Sequence, residues 1–308
     1  MFYTRKCGEI EESDFGSEQK LCGWLQDTRN LGGIAFLQLK DITGVIQLTL
    51  LKKKLDADDY KKWTNINRES IVLVRGIVKE NKEAPGGVEM LPDNIEILNE
   101  AETPLPLGVI DKIDSEIETR LNARYLDLRK SEIAANFQIR AAISGAVHKH
   151  LRREKFLEVQ TPKIIASATE GGTSLFEMKY FDRTAYLAQS PQLYKQMLMG
   201  GGLERVYEVG PAFRAEEHNT PRHLNEFISI DIEMSFADDD VVMGVMERLV
   251  DTVARAVAKE TEALKTLGIE PIELELPLPR ITYDEAVEMS NGKAEWGEDL
   301  SMEATREI

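Results

Sequence analysis

Cysteine is scarce in this sequence: Cys7 and Cys22 are the only two among 308 residues. Two thiols build neither a disulfide framework nor a cysteine-rich zinc site. The four histidines, His148, His150, His218 and His223, do not fall at metal-ligand spacing, which argues against a protein-bound zinc. No apolar run approaches the roughly 18 residues of a membrane span, and the polar stretch from Met1 to Glu12 does not read as a signal peptide. The phosphate loop GxxxxGK(S/T), a GxGxxG after a strand, HExxH and paired CxxC motifs are all missing. These absences predict a cytoplasmic protein with no membrane segment. Positive charge is also short. Lys and Arg number 38 against 54 Asp and Glu, for a net charge of −16, the opposite of the basic balance expected of a nucleic-acid binder.

The total hides a gradient. Residues 1–100 carry 14 basic and 17 acidic side chains, residues 101–237 carry 17 and 19, and residues 238–308 carry 7 and 18. The first three-quarters is therefore close to neutral and leaves room for local basic surface. A 42% apolar content with 30% charge suits a folded chain, and the length suits about two domains.

Short apolar or alternating runs occur at Lys20–Trp24, Ala35–Leu39, Val45–Leu51, Ile71–Val78 and Val88–Leu98. Gly32-Gly33, Thr43-Gly44 and Pro85-Gly86-Gly87 separate them, and Asp56 to Asn67 is a polar, helix-compatible interruption. Five strands with a helix between the third and fourth is the pattern of an OB-type barrel, although another small barrel or a sandwich fits the pattern too. Pro104, Pro106 and Gly108 open a charged stretch that reads as a connector over 104–130. From Ser131, a plausible N-cap, the period becomes helical, with Ile139, Ile143, Val147 and Leu151 on one face. A β-rich block over 184–236 follows, then a helix predicted over about 240–265. Ser301-Met302-Glu303 resembles a further helix start. The domains expected are 1–103, 104–130 as linker and 131–308.

The informative segment of that block is a hairpin, Arg205 to Glu216 and Arg222 to Met234, around a polar tip. On the return strand Ile228, Ile230, Ile232 and Met234 alternate with Ser229, Asp231 and Glu233, as in a half-buried strand. Arg214, Arg222 and His223 face each other across the tip. Guanidinium forks match phosphate oxygens and keep their charge, Glu216 can accept from an amino group, and Phe227 offers a flat face to a base. By composition alone a rim of solvated ion pairs fits as well.

The order Phe213-Arg214-Ala215-Glu216, a short loop, then Arg222-His223-Leu224-Asn225-Glu226-Phe227 resembles motif 2 of the class II aminoacyl-tRNA synthetases. The helix from Ser131 followed by Glu158-Val159-Gln160-Thr161-Pro162 resembles motif 1, the dimer-forming element. Thr169-Glu170-Gly171-Gly172-Thr173 and Gln189 to Gln196 are similar to the amino-acid-binding segments of the aspartate–asparagine–lysine subclass. A barrel ahead of motif 1 has that subclass's domain order. The Glu217-His218-Asn219-Thr220 loop most resembles archaeal-type aspartyl enzymes. The resemblance covers essentially the whole chain. It implies an α+β fold, an OB anticodon-binding barrel followed by an antiparallel-sheet catalytic domain.

The resemblance also implies roles. Arg214 contacts the α-phosphate of ATP and the substrate carboxylate. Ala215, Glu216, Arg222, His223, Leu224 and Phe227 complete the ATP contacts. Glu170 pairs with the substrate ammonium, and Gln192, Leu193, Tyr194 and Lys195 line the aspartate pocket. In the barrel, Phe36 stacks on a base, Gln47 and Glu89 read edges, and Arg29 lies nearby; Lys52 to Lys54, Lys61 and Lys62 are candidate phosphate contacts. Members restricted to the aspartate tRNA tend to carry Trp near Gln26 and Lys near Pro85. Both are absent here, so charging of the tRNAs for aspartate and asparagine is expected, within a cytoplasmic homodimer. The family's Gly-rich third motif and its Mg²⁺-binding residues do not follow Glu233. The chain therefore reads as a C-terminal truncation with magnesium ligands expected beyond residue 308, and as inactive alone in pyrophosphate exchange. Three alternatives stay open: an asparaginyl-tRNA synthetase, a non-catalytic tRNA-binding protein, and an asparagine synthetase paralogue, the last disfavoured by the barrel.

Overall fold

Alternation interrupted by bulges builds the first unit. In the computed structural model, which describes residues 2–110, 115–167, 175–215 and 224–308, five strands close a barrel. They are β1 (Glu18–Asn30), β2 (Ile34–Lys40), β3 (Val45–Leu51), β4 (Ile71–Glu80) and β5 (Val88–Asn99), in the order β1-β2-β3-β5-β4. β3 and β5 run parallel and every other pair is antiparallel, the OB topology. Leu21, Leu37, Leu39, Leu48, Val74 and Met90 fill the interior with no exposed surface. Helix α1 (Ala57–Thr64) sits between β3 and β4, where the polar interruption predicts it, and adds Tyr60 and Trp63 to this core. Asp56 caps it, accepting from the amides of Asp58 and Asp59. Gly23 is required where strands cross closely, since a Cβ there would lie 2.3 Å from the carbonyl oxygen of Lys40.

The alternation breaks at Gln26. The β1–β2 register shifts between Leu25 and Asp27, a bulge in which one extra residue reverses the inward–outward phase. Below it Leu21 and Leu25 point inward; beyond it Arg29 pairs with Phe36 on the face opposite the buried Ala35 and Leu37.

The stretch over 104–130, expected as an irregular connector, carries two short helices, α2 (Ile117–Asn122) and α3 (Arg124–Asp127). The cause is local. The Asp127 carboxylate is fully buried and paired with Arg120, Arg124 and Lys130, and Leu107, Ala123 and Leu126 form a small apolar cluster. Arg129 then stacks on Trp24 with its guanidinium 5.0 Å from the ring centre, and bonds Glu69 at 2.6 Å. The chain divides into two compact units, Met1–Ile133 and Ala134–Ile308.

In the second unit, α4 (Ser131–Arg153) buries Val147 and Leu151 of its predicted face, with Ile143 packed against them. After β6 (Leu157–Glu158) and β7 (Ile164–Ile165) come β8 (Glu177–Tyr180), β9 (Arg183–Leu187), α5 (Gln192–Gly200), β10 (Arg205–Phe213) and β11 (Glu226–Met234). Two sheets form, β11-β10-β6 and β7-β9-β8. The predicted long helix is two, α6 (Asp239–Val257) and α7 (Thr261–Leu267). No glycine or proline marks the break between them. Val245 and Leu249 of α6 join Val147, Leu151 and Tyr207 in the core, whereas Ala263 and Leu264 of α7 lie outside that cluster. Helix α8 (Tyr283–Met289) opens on a Thr282–Glu285 capping box, and a single 3-10 turn, Ala304–Arg306, follows Ser301. Among the described residues no helix is long and apolar enough to cross a membrane.

Candidate functional site

The hairpin β10–β11 presents two chemically opposed faces because its register is regular throughout. Tyr207, Val209, Ile232 and Met234 turn to the core shared with α4 and α6. Glu208, Gly210 and Ala212 pair with Asp231, Ser229 and Phe227, so these six share the other, more polar face.

Helix α5 brings Lys195 to that face. The side chain is buried, 4% exposed, and its Nζ lies 3.2 Å from Asp231 Oδ1 and 3.4 Å from Glu233 Oε2. It also donates to the carbonyl of Ile232 at 3.2 Å, while Gln192 Nε2 donates to Glu233 at 3.4 Å. Tyr194 is half-buried beside them, but Leu193 turns away, 48% exposed. Next along the face, the buried Glu208 accepts from Thr161 Oγ1 at 2.7 Å and pairs with Lys163 at 2.7 Å. Gly210 keeps the surface beside it low, since a Cβ there would come within 3.0 Å of Glu208 Oε1.

Arg214 follows directly at the end of β10. Its amide donates to the carbonyl of Asn225 at 3.0 Å, and its guanidinium lies 5.3 Å from the Phe227 ring centre. Its Nε is buried and has no hydrogen-bond partner among the described residues. A guanidinium in this place carries donors of the kind that match anionic oxygens. Phe227 and Asp231 are four residues apart on one strand face, roughly 13 Å at the usual rise. Ala215 is the last described residue before the tip. Leu224 lines a groove of about 630 Å³ together with Glu226, Phe227, Val209, Ile228 and Ile230. Glu170, Glu216, Arg222 and His223, with the 217–220 loop, lie outside the described residues.

On the barrel, the outward row runs strand to strand: Arg29 pairs with Phe36, Phe36 with Thr49, Gln47 with Glu89, and Glu89 with Lys79. Phe36 is half-buried on the face opposite the core, free to stack. Glu89 is 3% exposed. Its Oε2 accepts from Thr49 at 2.6 Å, Asn81 at 2.8 Å and Gln47 at 3.2 Å, while Lys79 Nζ lies 2.7 Å from Oε1. Burial works against the charged form, but these donors prevail and hold the carboxyl below the usual range. Its oxygens are thus occupied by neighbours rather than presented as an exposed edge reader. Gln26, at the bulge, is 8% exposed and lines a cavity of about 290 Å³ with Arg68, Glu69 and Leu105. Pro85 is exposed in the β4–β5 loop, followed by Gly86 at φ 74° and Gly87 at φ 75°. Lys52 to Lys54 form a turn after β3, and Lys61 and Lys62 end α1.

Lys163, Glu208, Asp231 and Glu233 stand at this face with no part in the motif reading, which takes Thr161 only as a member of the segment resembling motif 1. The alternation of Asp231 and Glu233 with isoleucines signals a polar face without saying that a lysine covers it. Among the described residues, no three His, Cys, Asp or Glu side chains gather as a cation site.

Comparison with known proteins agrees with this geometry. Residues 116–307 match the family model for tRNA synthetases class II (D, K and N), and residues 19–98 match an OB-fold nucleic acid binding domain. An aspartate–tRNA(Asp/Asn) ligase of Methanopyrus kandleri is 53% identical over 95% of this chain and 69% of its own length. An aspartate–tRNA(Asp) ligase of Pyrococcus horikoshii is 45% identical over 99% of this chain and 71% of its own. Among solved structures, an asparaginyl-tRNA synthetase of Pyrococcus horikoshii complexed with asparaginyl-adenylate superposes with a TM-score of 0.89 at 31% identity, covering 99% of this chain and 71% of that one. With a barrel of OB topology, an antiparallel hairpin carrying Arg214 and Phe227, and relatives of this identity, the chain belongs to the class II tRNA synthetases of the aspartate, lysine and asparagine group.

Proposed function

We propose that this protein activates L-aspartate with ATP and transfers it to the tRNAs for aspartate and asparagine. The observation that carries the reading is the polar face of β11, with Arg214 over Phe227 at one end and the buried Lys195 at the other. Their separation suits a nucleotide joined to an amino acid.

Arg214 holds the α-phosphate and the substrate α-carboxylate together, so that carboxylate oxygen attacks phosphorus in line and pyrophosphate leaves. Charge developing on the phosphoryl oxygens meets a donor already in place. Phe227 packs under the adenine. Lys195, steadied by Asp231 and Glu233, faces the side-chain carboxylate of the amino acid, with Gln192 beside it; Leu193 and Tyr194 support α5. Glu170, Glu216, Arg222 and His223 keep the roles the family pattern gives them. Asp231, Glu233 and Glu208 are each held by an ammonium group. In the second half-reaction the 3′-terminal ribose of the tRNA takes the aspartyl group. The barrel face around Phe36, Gln47 and Arg29 contacts unpaired anticodon bases by stacking and edge hydrogen bonds. The chain acts as one protomer of a homodimer built on α4 and the segment to Pro162.

Dual tRNA use is supported by Gln26 and Pro85, and by relatives named for both tRNAs at 53% and 51% identity against 45% and 46% for two named for the aspartate tRNA alone. On the intact enzyme, pyrophosphate exchange is expected to follow aspartate and not asparagine, and both tRNA transcripts are expected to be charged with aspartate. Exchange driven by asparagine overturns the amino-acid assignment. A preference above about 100-fold for one transcript, about 2.7 kcal/mol, overturns the dual use.

A further inference from the structure

Three carboxylates stand on the polar face of the hairpin: Glu208 on β10, and Asp231 and Glu233 on β11. Two ammonium groups answer them. Lys195 is shared by Asp231 and Glu233, at 3.2 and 3.4 Å. Lys163 serves Glu208, with its Nζ 2.7 Å from Oε1. Glu208 is the cross-strand neighbour of Asp231, a pairing that sets Cβ atoms about 5 Å apart. Its carboxylate leans towards Gly210, into the stretch of the face between Lys195 and Arg214.

The acid has an architectural use. Its Oε1 accepts from the Thr161 amide at 3.2 Å and its Oε2 from the Thr161 hydroxyl at 2.7 Å, which ties the segment ending in Pro162 to the hairpin. Each oxygen of a carboxylate accepts, so one side chain serves both donors. The charge that comes with those acceptors is a liability. Glu208 is 3% exposed, so water screens it little, and a substrate with a side-chain carboxylate comes to rest beside it. At this range like charges repel by more than thermal energy even in a partly polar interior. Lys163 is well placed to cancel that charge. Its ammonium also donates to Thr161 Oγ1 at 3.1 Å, and its carbonyl accepts from the Ala188 amide at 2.9 Å, so both ends of the residue are held.

We propose that Lys163 is a positioning residue of the amino-acid pocket that acts through Glu208: it cancels the charge of that acid, so that Glu208 braces Thr161 without repelling the carboxylate of the substrate. This inference rests on the reading of the polar face as an aspartate site.

The test is aspartate titration of ATP–pyrophosphate exchange on the intact enzyme. Lys163→Met is expected to raise KM for aspartate about tenfold, leaving kcat and KM for ATP within about twofold. Lys163→Arg keeps the cation and is expected to leave all three unchanged. Adding Glu208→Gln to Lys163→Met is expected to bring KM for aspartate back to within about threefold of the unmodified enzyme, because the amide oxygen still accepts from Thr161 but carries no charge. A lysine that touched the substrate itself, or only shaped the fold, would not be rescued. A deficit that persists in the double variant therefore overturns the proposal, as does an unchanged KM for aspartate or an equal rise in KM for ATP. Should Lys163→Met not fold, Glu208→Gln alone decides: it is expected to lower KM for aspartate, and an unchanged or raised value overturns the proposal. An unmodified enzyme whose exchange does not respond to aspartate refutes the aspartate reading instead.

Discussion

Arg214→Ala is expected to lower aspartate-dependent ATP–pyrophosphate exchange by about 10²–10³-fold, the usual loss when one preorganised transition-state donor is removed. The reason lies in the ground state of the site. The guanidinium is already stacked on Phe227, so under the proposed role its donors meet the charge of a phosphoryl oxygen without having to be reorganised. Because that charge grows as the new bond forms, the loss should fall mainly on kcat rather than on KM for ATP. Arg214→Lys should recover little, since an ammonium cannot present the planar fork that bridges a phosphate and a carboxylate. Exchange within about tenfold of the unmodified enzyme, a deficit of about 1.4 kcal/mol, would remove Arg214 from the reaction.

Lys195→Met is expected to raise KM for aspartate by about 100-fold, or roughly 2.7 kcal/mol, and to destabilise the protein as well. The two effects share one origin. Lys195 is the ammonium that Asp231 and Glu233 both engage, and removing it leaves two carboxylates on one strand face with neither cation nor full hydration. Breaking a fully buried pair costs about 3–5 kcal/mol. These carboxyls retain 20% and 24% of their side-chain exposure, so a loss of about 1–3 kcal/mol is the better expectation. Thermal unfolding measures the second effect, and amino-acid titration of exchange the first. A destabilised variant with an unchanged KM for aspartate would reduce Lys195 to a structural counter-ion.

These two residues were legible in the sequence for different reasons. Arg214 stands in an ordered motif whose members are neighbours in the chain. Lys195 was legible only through a resemblance, because its partners Asp231 and Glu233 lie 36 and 38 residues further on and come into reach only through the packing of α5 on β11. The barrel strands could be read from alternation and turn residues. The hydrogen bonds around Glu89 could not, because they need the parallel pairing of β3 with β5 and the β4–β5 register at once. The helices over 117–127 escaped notice because their cause is a single buried carboxylate, Asp127, and nothing in a charged stretch distinguishes that acid from its solvated neighbours. The break between α6 and α7 carries no local breaker at all.

The bulge at Gln26 makes β1 two half-strands of opposite parity joined at one residue. β4 pairs with Glu18–Trp24 ahead of the joint, while the pairing with β2 starts at Trp24 and runs across the joint to Asn30. Parity protects the lining leucines from whatever changes occur at Asp27 and Arg29. It also means that graftings between related barrels have to be aligned from this joint outward. A transplant matched only on the flanking leucines, and one residue out at the joint, would carry Arg29 into the oil and Thr28 into the water.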